Sequence, residues 1–284
     1  HLRETLLSQL LINTFKLVFG VTGGTLLLGV SLAWLSGVCE FPGRKYFSWL
    51  LLLPLAMPTY VLAFVFLGLF DFSGPVQTQL RVWFGRDLWL PDIRSAAGVV
   101  LVMSLALYPY VYLLARNAFS TQGKRALEAA ESLGCSPTEG FFRVVLPMAR
   151  PWIAGGATLV LMEALADFGA VSIFNFDTFT TAIYKAWFGF FSLAAAAQLS
   201  TLLVALVFLL IVLEQKLRKR MRFTQSRVAP QAERILLGTG KKWLATGYCT
   251  GVLLIAFFLP ALQLLRWSLE GFHQEFDSRY LSLL

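Results

Sequence analysis

The chain has 284 residues, of which 57% are hydrophobic and only 14% charged, with a mean hydropathy of +0.68. That charge is too sparse to cover the surface of a water-soluble domain of this length, so a soluble globular protein is excluded. The formal net charge is +8, and the three cysteines (Cys39, Cys135, Cys249) and two histidines (His1, His273) are too scattered for a metal-ligand set or a disulfide framework. The sequence opens at His1 without the basic n-region of a signal peptide, as expected of a trimmed chain or a fragment.

A helical membrane span takes about 20 predominantly apolar residues. Six stretches qualify: 14–35, 48–70, 95–115, 152–173, 193–213 and 243–265. In the first, Gly20 and Gly24 form a Gly-x-x-x-Gly spacing that allows close helix contact. In the third, Tyr108, Pro109 and Tyr110 read as a kink with packing residues. Lysine and arginine in the loops give the orientation. With the N-terminus outside, the inner loops 36–47, 116–151 and 214–242 hold 2, 5 and 9 of the 24 basic residues, whereas the four outer segments hold 6 in all. The run "KLRKRMRF" after the fifth span is therefore a cytoplasmic stop signal and a lipid-headgroup contact, and nucleic acid is not expected as a partner.

Between spans three and four lies a soluble-looking segment, 124–147. Its first part, "GKRALEAAESLG", consists of helix formers, with Ala126, Ala130 and Leu133 expected on one buried face. Gly134 supplies the stop. "SPTE" then starts a second helix, with Ser136 as N-cap, Pro137 at N1 and Glu139 completing a capping box. That helix is expected to end near Pro147. Two readings stand on local physics: an ordinary loop folded on the spans, or a rigid knob built to fit another protein.

Span four contains "LMEALADFGAVSIF", in which Glu163 and Asp167 are spaced i, i+4 and so are expected on one helix face. Acids inside a membrane are costly and face a cavity or a partner. They either line a translocation path or hydrogen-bond to neighbouring helices. In the linker, "GTGKK" invites a phosphate-loop reading that fails. Ile235 stands where the motif's first glycine belongs, no Ser or Thr follows the lysine, and a membrane span comes next. Gly238 and Gly240 are read as a flexible joint.

"EAAESLG" followed nine residues later by "VVLP" resembles the EAA loop of ABC importer permeases, with Glu128, Ala129, Ala130, Gly134, Leu146 and Pro147 at matching positions and Val144 where isoleucine is usual. The resemblance implies an all-α polytopic membrane protein with the type I ABC importer permease fold, in the bacterial inner membrane. It implies that 124–147 is the coupling element for a separate cytoplasmic ABC ATPase dimer, so that ATP is bound by the partner and this chain carries no cofactor and no catalytic residue. It also implies a periplasmic substrate-binding protein on the outer face. "ALADFGAVSIF" and the segment 178–189, "TFTTAIYKAWFG", further resemble the iron(III) permeases, which carry two homologous halves in one chain. On that resemblance 1–213 is a first half, 214–242 a basic linker, and 243–284 the first span and outer segment of a second half. Permeases for thiamine, polyamines and phosphonate share the two-half plan. The rival reading is an ion-gradient-driven transporter or channel using Glu163 and Asp167 as a relay. A membrane enzyme is disfavoured, because no nucleophile or metal-ligand cluster stands out.

Overall fold

The computed structural model describes residues 2–85, 91–219 and 234–275. The basic stretch 220–233 and the tail 276–284, on which part of the linker and second-half expectation rests, lie outside the described residues. Helix α1 (Leu2–Val38) leads into a two-residue strand β1 (Cys39–Glu40), then α2 (Arg44–Leu50), α3 (Thr59–Phe70), α4 (Pro75–Phe84) and α5 (Ala96–Ala118). Helices α6 (Lys124–Ser132) and α7 (Pro137–Gly140) form the loop between spans. They are followed by α8 (Leu146–Ala166), α9 (Gly169–Ile173), α10 (Phe179–Tyr184) and α11 (Leu193–Lys219). Strand β2 (Ile235–Leu236) precedes α12 (Thr239–Leu253) and α13 (Leu259–Glu275), which run on from each other through a π-helical turn. Among the described residues six helical segments are long and apolar enough to cross a membrane.

Helix α5 is the axis of the bundle. Val99, Val102, Met103, Tyr108, Val111, Tyr112 and Ala115 are all fully buried, which only a helix apolar on every side permits. Glycines bring its neighbours in. A Cβ at Gly20 would lie 2.8 Å from Val100, one at Gly24 2.3 Å from Ser104 Oγ, and one at Gly29 2.9 Å from the Tyr112 backbone nitrogen. On the other side, a Cβ at Gly156 of α8 would lie 2.8 Å from Val111 Cα. The Gly-x-x-x-Gly spacing is thus a close-packing seam, as expected, and it extends to Gly29.

The expected second span, 48–70, is not one helix. Pro54 and Pro58 have no N–H, and α2 gives way to a 3-10 turn (Leu53–Ala56) before α3 begins. A 12-residue helix rises only about 18 Å at 1.5 Å per residue, and the apolar stretch long enough to cross runs from Thr59 through α4 to Phe84. The break frees two carbonyls, because Leu52 N donates to Trp49 O and Leu55 N to Leu52 O instead of to the carbonyls four residues back. Both are recovered by α5: Tyr108 Oη donates to Leu51 O at 2.9 Å and Tyr112 Oη to Ser48 O at 3.1 Å. Non-helical backbone at membrane depth survives only with such internal partners. Tyr108 is therefore a packing residue, as expected, while α5 continues unbroken through Pro109.

Span four also departs from expectation, since α8 stops at Ala166 rather than reaching 173. The last span stands against the second and the first. Trp267 of α13 covers Gly68, where a Cβ would lie 2.7 Å from its ring, and its ring meets Phe64 edge-on. Tyr248 Oη and Ser31 Oγ are 2.8 Å apart. Gly238, expected to be a joint, is the N-cap of α12, and Gly240 lies inside that helix. Strands β1 and β2 pair in parallel, Cys39 with Ile235 and Glu40 with Leu236, a tie that short polar-flanked segments gave no reason to expect.

Candidate functional site

The loop between α5 and α8 folds into a two-helix knob. Helix α6 ends in a Schellman arrangement. Gly134 takes φ +89°, Cys135 N donates to Ala130 O at 3.1 Å, and Gly134 N donates to Glu131 O at 2.9 Å. That backbone region favours glycine because a Cβ would crowd the preceding carbonyl. Ser136 then caps α7, its hydroxyl accepting from Glu139 N at 3.3 Å. The expected reciprocal bond from the Glu139 carboxylate is replaced by an ion pair with Arg143, one turn further on. Gly140 brings the two helices together, since a Cβ there would lie 2.9 Å from Leu127 Cδ1 and 3.1 Å from Ala130 Cβ.

The buried face of α6 is Ala126, Leu127 and Ala130. Leu133, expected there, is instead 85% exposed, because the chain has already left the helix when it is reached. Nor does Pro147 end the second helix. A π-helical turn (Phe141–Val145) widens the coil ahead of it, and the helix runs on as α8 with Pro147 in its first turn and Pro151 inside. The knob is thus coupled directly to span four. Of the six motif residues, Ala130 is buried in the α6–α7 seam, and Leu146 and Pro147 lie partly buried at the root of α8. Glu128, Ala129 and Gly134 are on the outside, with exposed Leu133 and Phe142. Glu128 pairs with Lys124 one turn back at 3.4 Å.

Glu163 and Asp167 do not share a helix face. Asp167 is the C-cap of α8, with ψ 126°, so its side chain turns forward instead of along the helix. Its Oδ1 accepts from Ala170 N at 2.9 Å and Val171 N at 3.3 Å, and its Oδ2 from the Thr59 hydroxyl at 2.6 Å. Its carbonyl accepts from the Thr180 hydroxyl at 2.8 Å. One residue therefore joins α8, α9, α3 and α10. Glu163 remains helical and exposed, within electrostatic reach of Tyr110 on α5.

Sequence reasoning missed a cavity of about 210 Å³ beside this junction, towards the outer face. Phe168 and Tyr184, with ring centroids 4.8 Å apart, form part of its wall. Asp177 and Lys185 close it with a 2.6 Å ion pair, and Asn13 of α1 donates to the Asp177 carbonyl at 3.0 Å. Only the Thr178 and Thr181 pair, whose hydroxyl and N–H meet at 2.9 Å, carried a local signal of the turn that shapes it.

A bundle of apolar crossings carrying a two-helix knob between the third and fourth of them is the architecture of a multi-pass membrane protein. Over residues 26–223 the chain matches the family described as binding-protein-dependent transport system inner membrane component, and it belongs to that family. It is 28% identical over 267 residues to a Fe(3+)-transport system permease protein of Haemophilus influenzae, covering 93% of this chain and 49% of that protein. It is 30% identical to a sulfate transport system permease protein of Escherichia coli, over 60% of this chain and 56% of that one. A molybdenum transport system permease protein of Escherichia coli is 28% identical over 60% of this chain and 71% of its own length. The chain thus spans about half the length of the iron permease it matches. The fold matches a chain of the MetNI methionine ABC transporter in an inward-facing conformation with a TM-score of 0.55 at 16% identity, over 76% of this chain and 96% of that one.

Proposed function

We propose that this chain is the membrane-crossing subunit of an ATP-driven importer and that the 124–147 knob transmits the work of a separate ATPase dimer to the spans. The observation that carries this reading is the knob's construction: a Schellman stop, a capped restart, and a helix that enters span four without a break. Movement of a partner bound to Glu128, Ala129 and the Gly134 turn would be transmitted to α8 as a lever, shifting the balance between two packings of the bundle. A periplasmic binding protein delivers cargo to the outer face. The cargo is ferric iron, supported by the relative whose match extends over 93% of this chain, although relatives named for sulfate and molybdenum match 60% of it at 30% and 28% identity. Residues 1–213 form one permease half, and α12 and α13 open a second.

Glu163 faces the path. An exposed carboxylate on a spanning helix needs water or a partner beside it, and among the described residues Glu163 has no hydrogen-bond framework like that of Asp167, which leaves it available to moving cargo. In co-purification from native membranes, Glu128→Arg is expected to retain at least about tenfold less ATPase, because a reversed charge at an interface costs several kcal/mol. Its level in the membrane should be unchanged. Normal ATPase retention by both Glu128→Arg and Gly134→Pro would sink the coupling role. Uptake of radiolabelled ferric iron, run beside radiolabelled sulfate and molybdate, tests the cargo: uptake of either oxyanion with no iron uptake overturns the iron assignment.

A further inference from the structure

A second cluster of charge lies where α1, α2 and α5 end on the cytoplasmic side. Arg44 is only 8% exposed. Its Nη1 donates to Ser36 O at 2.9 Å, and its Nε lies 3.3 Å from Glu40 Oε2 without the alignment of a hydrogen bond. Arg234, delivered by the β1–β2 pairing, donates from Nη1 to that same Oε2, also at 3.3 Å. Arg116 arrives from α5, its carbonyl 3.5 Å from where a Cβ on Gly37 would sit. Among the described residues no carboxylate lies within ion-pair distance of Arg116, and its Nε is buried without a hydrogen-bond partner.

Arg44 and Arg234 therefore share one carboxylate with Arg116 in electrostatic reach of Arg44, and two buried atoms, Arg44 Nε and Arg116 Nε, lack hydrogen-bond partners. Burial and the neighbouring Arg234 lower the pKa of Arg44, with Glu40 opposing and Arg116 adding to the depression. Arginine does not lose its proton in response, so the excess positive charge persists. Arg44 is buried and shares its one carboxylate with Arg234; such unbalanced buried charge is costly, and an anion would complete the cluster.

We propose that Arg44, Arg116 and Arg234 form a site for a phosphate group, that of an anionic phospholipid headgroup in the inner leaflet or of free phosphate. Arginine forks match phosphate oxygens in paired hydrogen bonds. Basic pockets between helices on the cytoplasmic side lie in the leaflet where anionic lipids concentrate. Glu40 holds two of the arginines apart and leaves their outer N–H groups free to turn towards the ligand. Occupancy would fasten the β1–β2 clasp, and with it α12, onto the first five crossings. This assignment is independent of the cargo.

The test uses the full-length protein in nanodiscs of phosphatidylcholine. Phosphatidylglycerol is added to one series and inorganic phosphate to another, with thermal unfolding and native mass spectrometry of retained lipid as readouts. Phosphatidylglycerol is expected to raise Tm by about 3–5 °C. That gain should at least halve in Arg116→Gln and in Arg234→Gln, with Arg116→Lys intermediate because it keeps the charge and loses the fork. Lys45→Gln removes the same charge from an exposed neighbouring position and should leave the gain intact. The same pattern with inorganic phosphate alone would identify a soluble anion as the ligand of the site. No gain in either series, or an equal loss in Lys45→Gln, would overturn the proposal, because the effect would then be absent or belong to the basic surface at large.

Discussion

A single carboxylate shows how sequence spacing and chemical role part company. Asp167 satisfies two backbone N–H groups and one hydroxyl, and it binds none of them through a neighbour on its own helix. Its alanine variant strands those donors, at about 1–3 kcal/mol for each buried group left unpaired. Asp167→Ala is therefore expected to lower Tm by about 6 °C or more. Asp167→Asn keeps the acceptor for α9, lets the Thr59 hydroxyl accept instead of donate, and should lose less than half as much. Glu163→Gln should leave Tm within about 1 °C and instead reduce uptake, because nothing in the bundle leans on its carboxylate. Equal Tm losses for Asp167→Asn and Glu163→Gln in a dye-based melt would show that the two acids are equivalent after all.

Helical elements differ in how much of their packing the sequence disclosed. The α6–Gly134–α7 turn was readable, because a glycine stop and a Ser-Pro start act through backbone chemistry within a few residues. The broken crossing at Leu53–Ala56 was not, because its tolerance depends on two tyrosines more than fifty residues away. The α8 stop was hidden for a similar reason: "ADFG" is apolar enough to continue a helix, and the groups that favour the break, Thr59 and Thr180, come from elsewhere in the chain. The long helix through Pro147 was misread because a π-turn upstream removes the clash that proline would otherwise cause. At the level of whole helices the glycine seam makes the sharpest prediction. Gly156→Leu places a side chain against the Val111 backbone, which has no rotamer by which to yield, whereas Gly251→Leu on α12 meets nothing within 4 Å. The first should abolish monodisperse protein on size-exclusion chromatography and the second should leave it unchanged. Matching profiles would mean that α8 and α5 are not in contact.

The whole molecule has a direction, and its three cysteines can read it. Cys135 sits partly exposed at the tip of the knob, on the side the basic loops assign to the cytoplasm. Cys39 is 2% exposed at the base of α1, and burial pushes its thiol up to about 11, so that at pH 7 to 8 almost none of it is the reactive thiolate. Cys249 is fully buried in α12 beneath the first-half helices. A membrane-impermeant maleimide should therefore label one site, Cys135, in inside-out vesicles and none in right-side-out vesicles. Cys135→Ser should abolish the signal in both. Labelling from the periplasmic side would invert the topology and with it the positive-inside reading, whereas strong labelling of Cys39 at neutral pH would mean that the β1–β2 clasp over it is open. Raising the pH towards 11 increases the Cys39 thiolate fraction, so any labelling of that residue should appear only there, and only as fast as the clasp admits the reagent. An excess of ATPase should slow the Cys135 reaction, since the partner would then cover the face that the thiol reports.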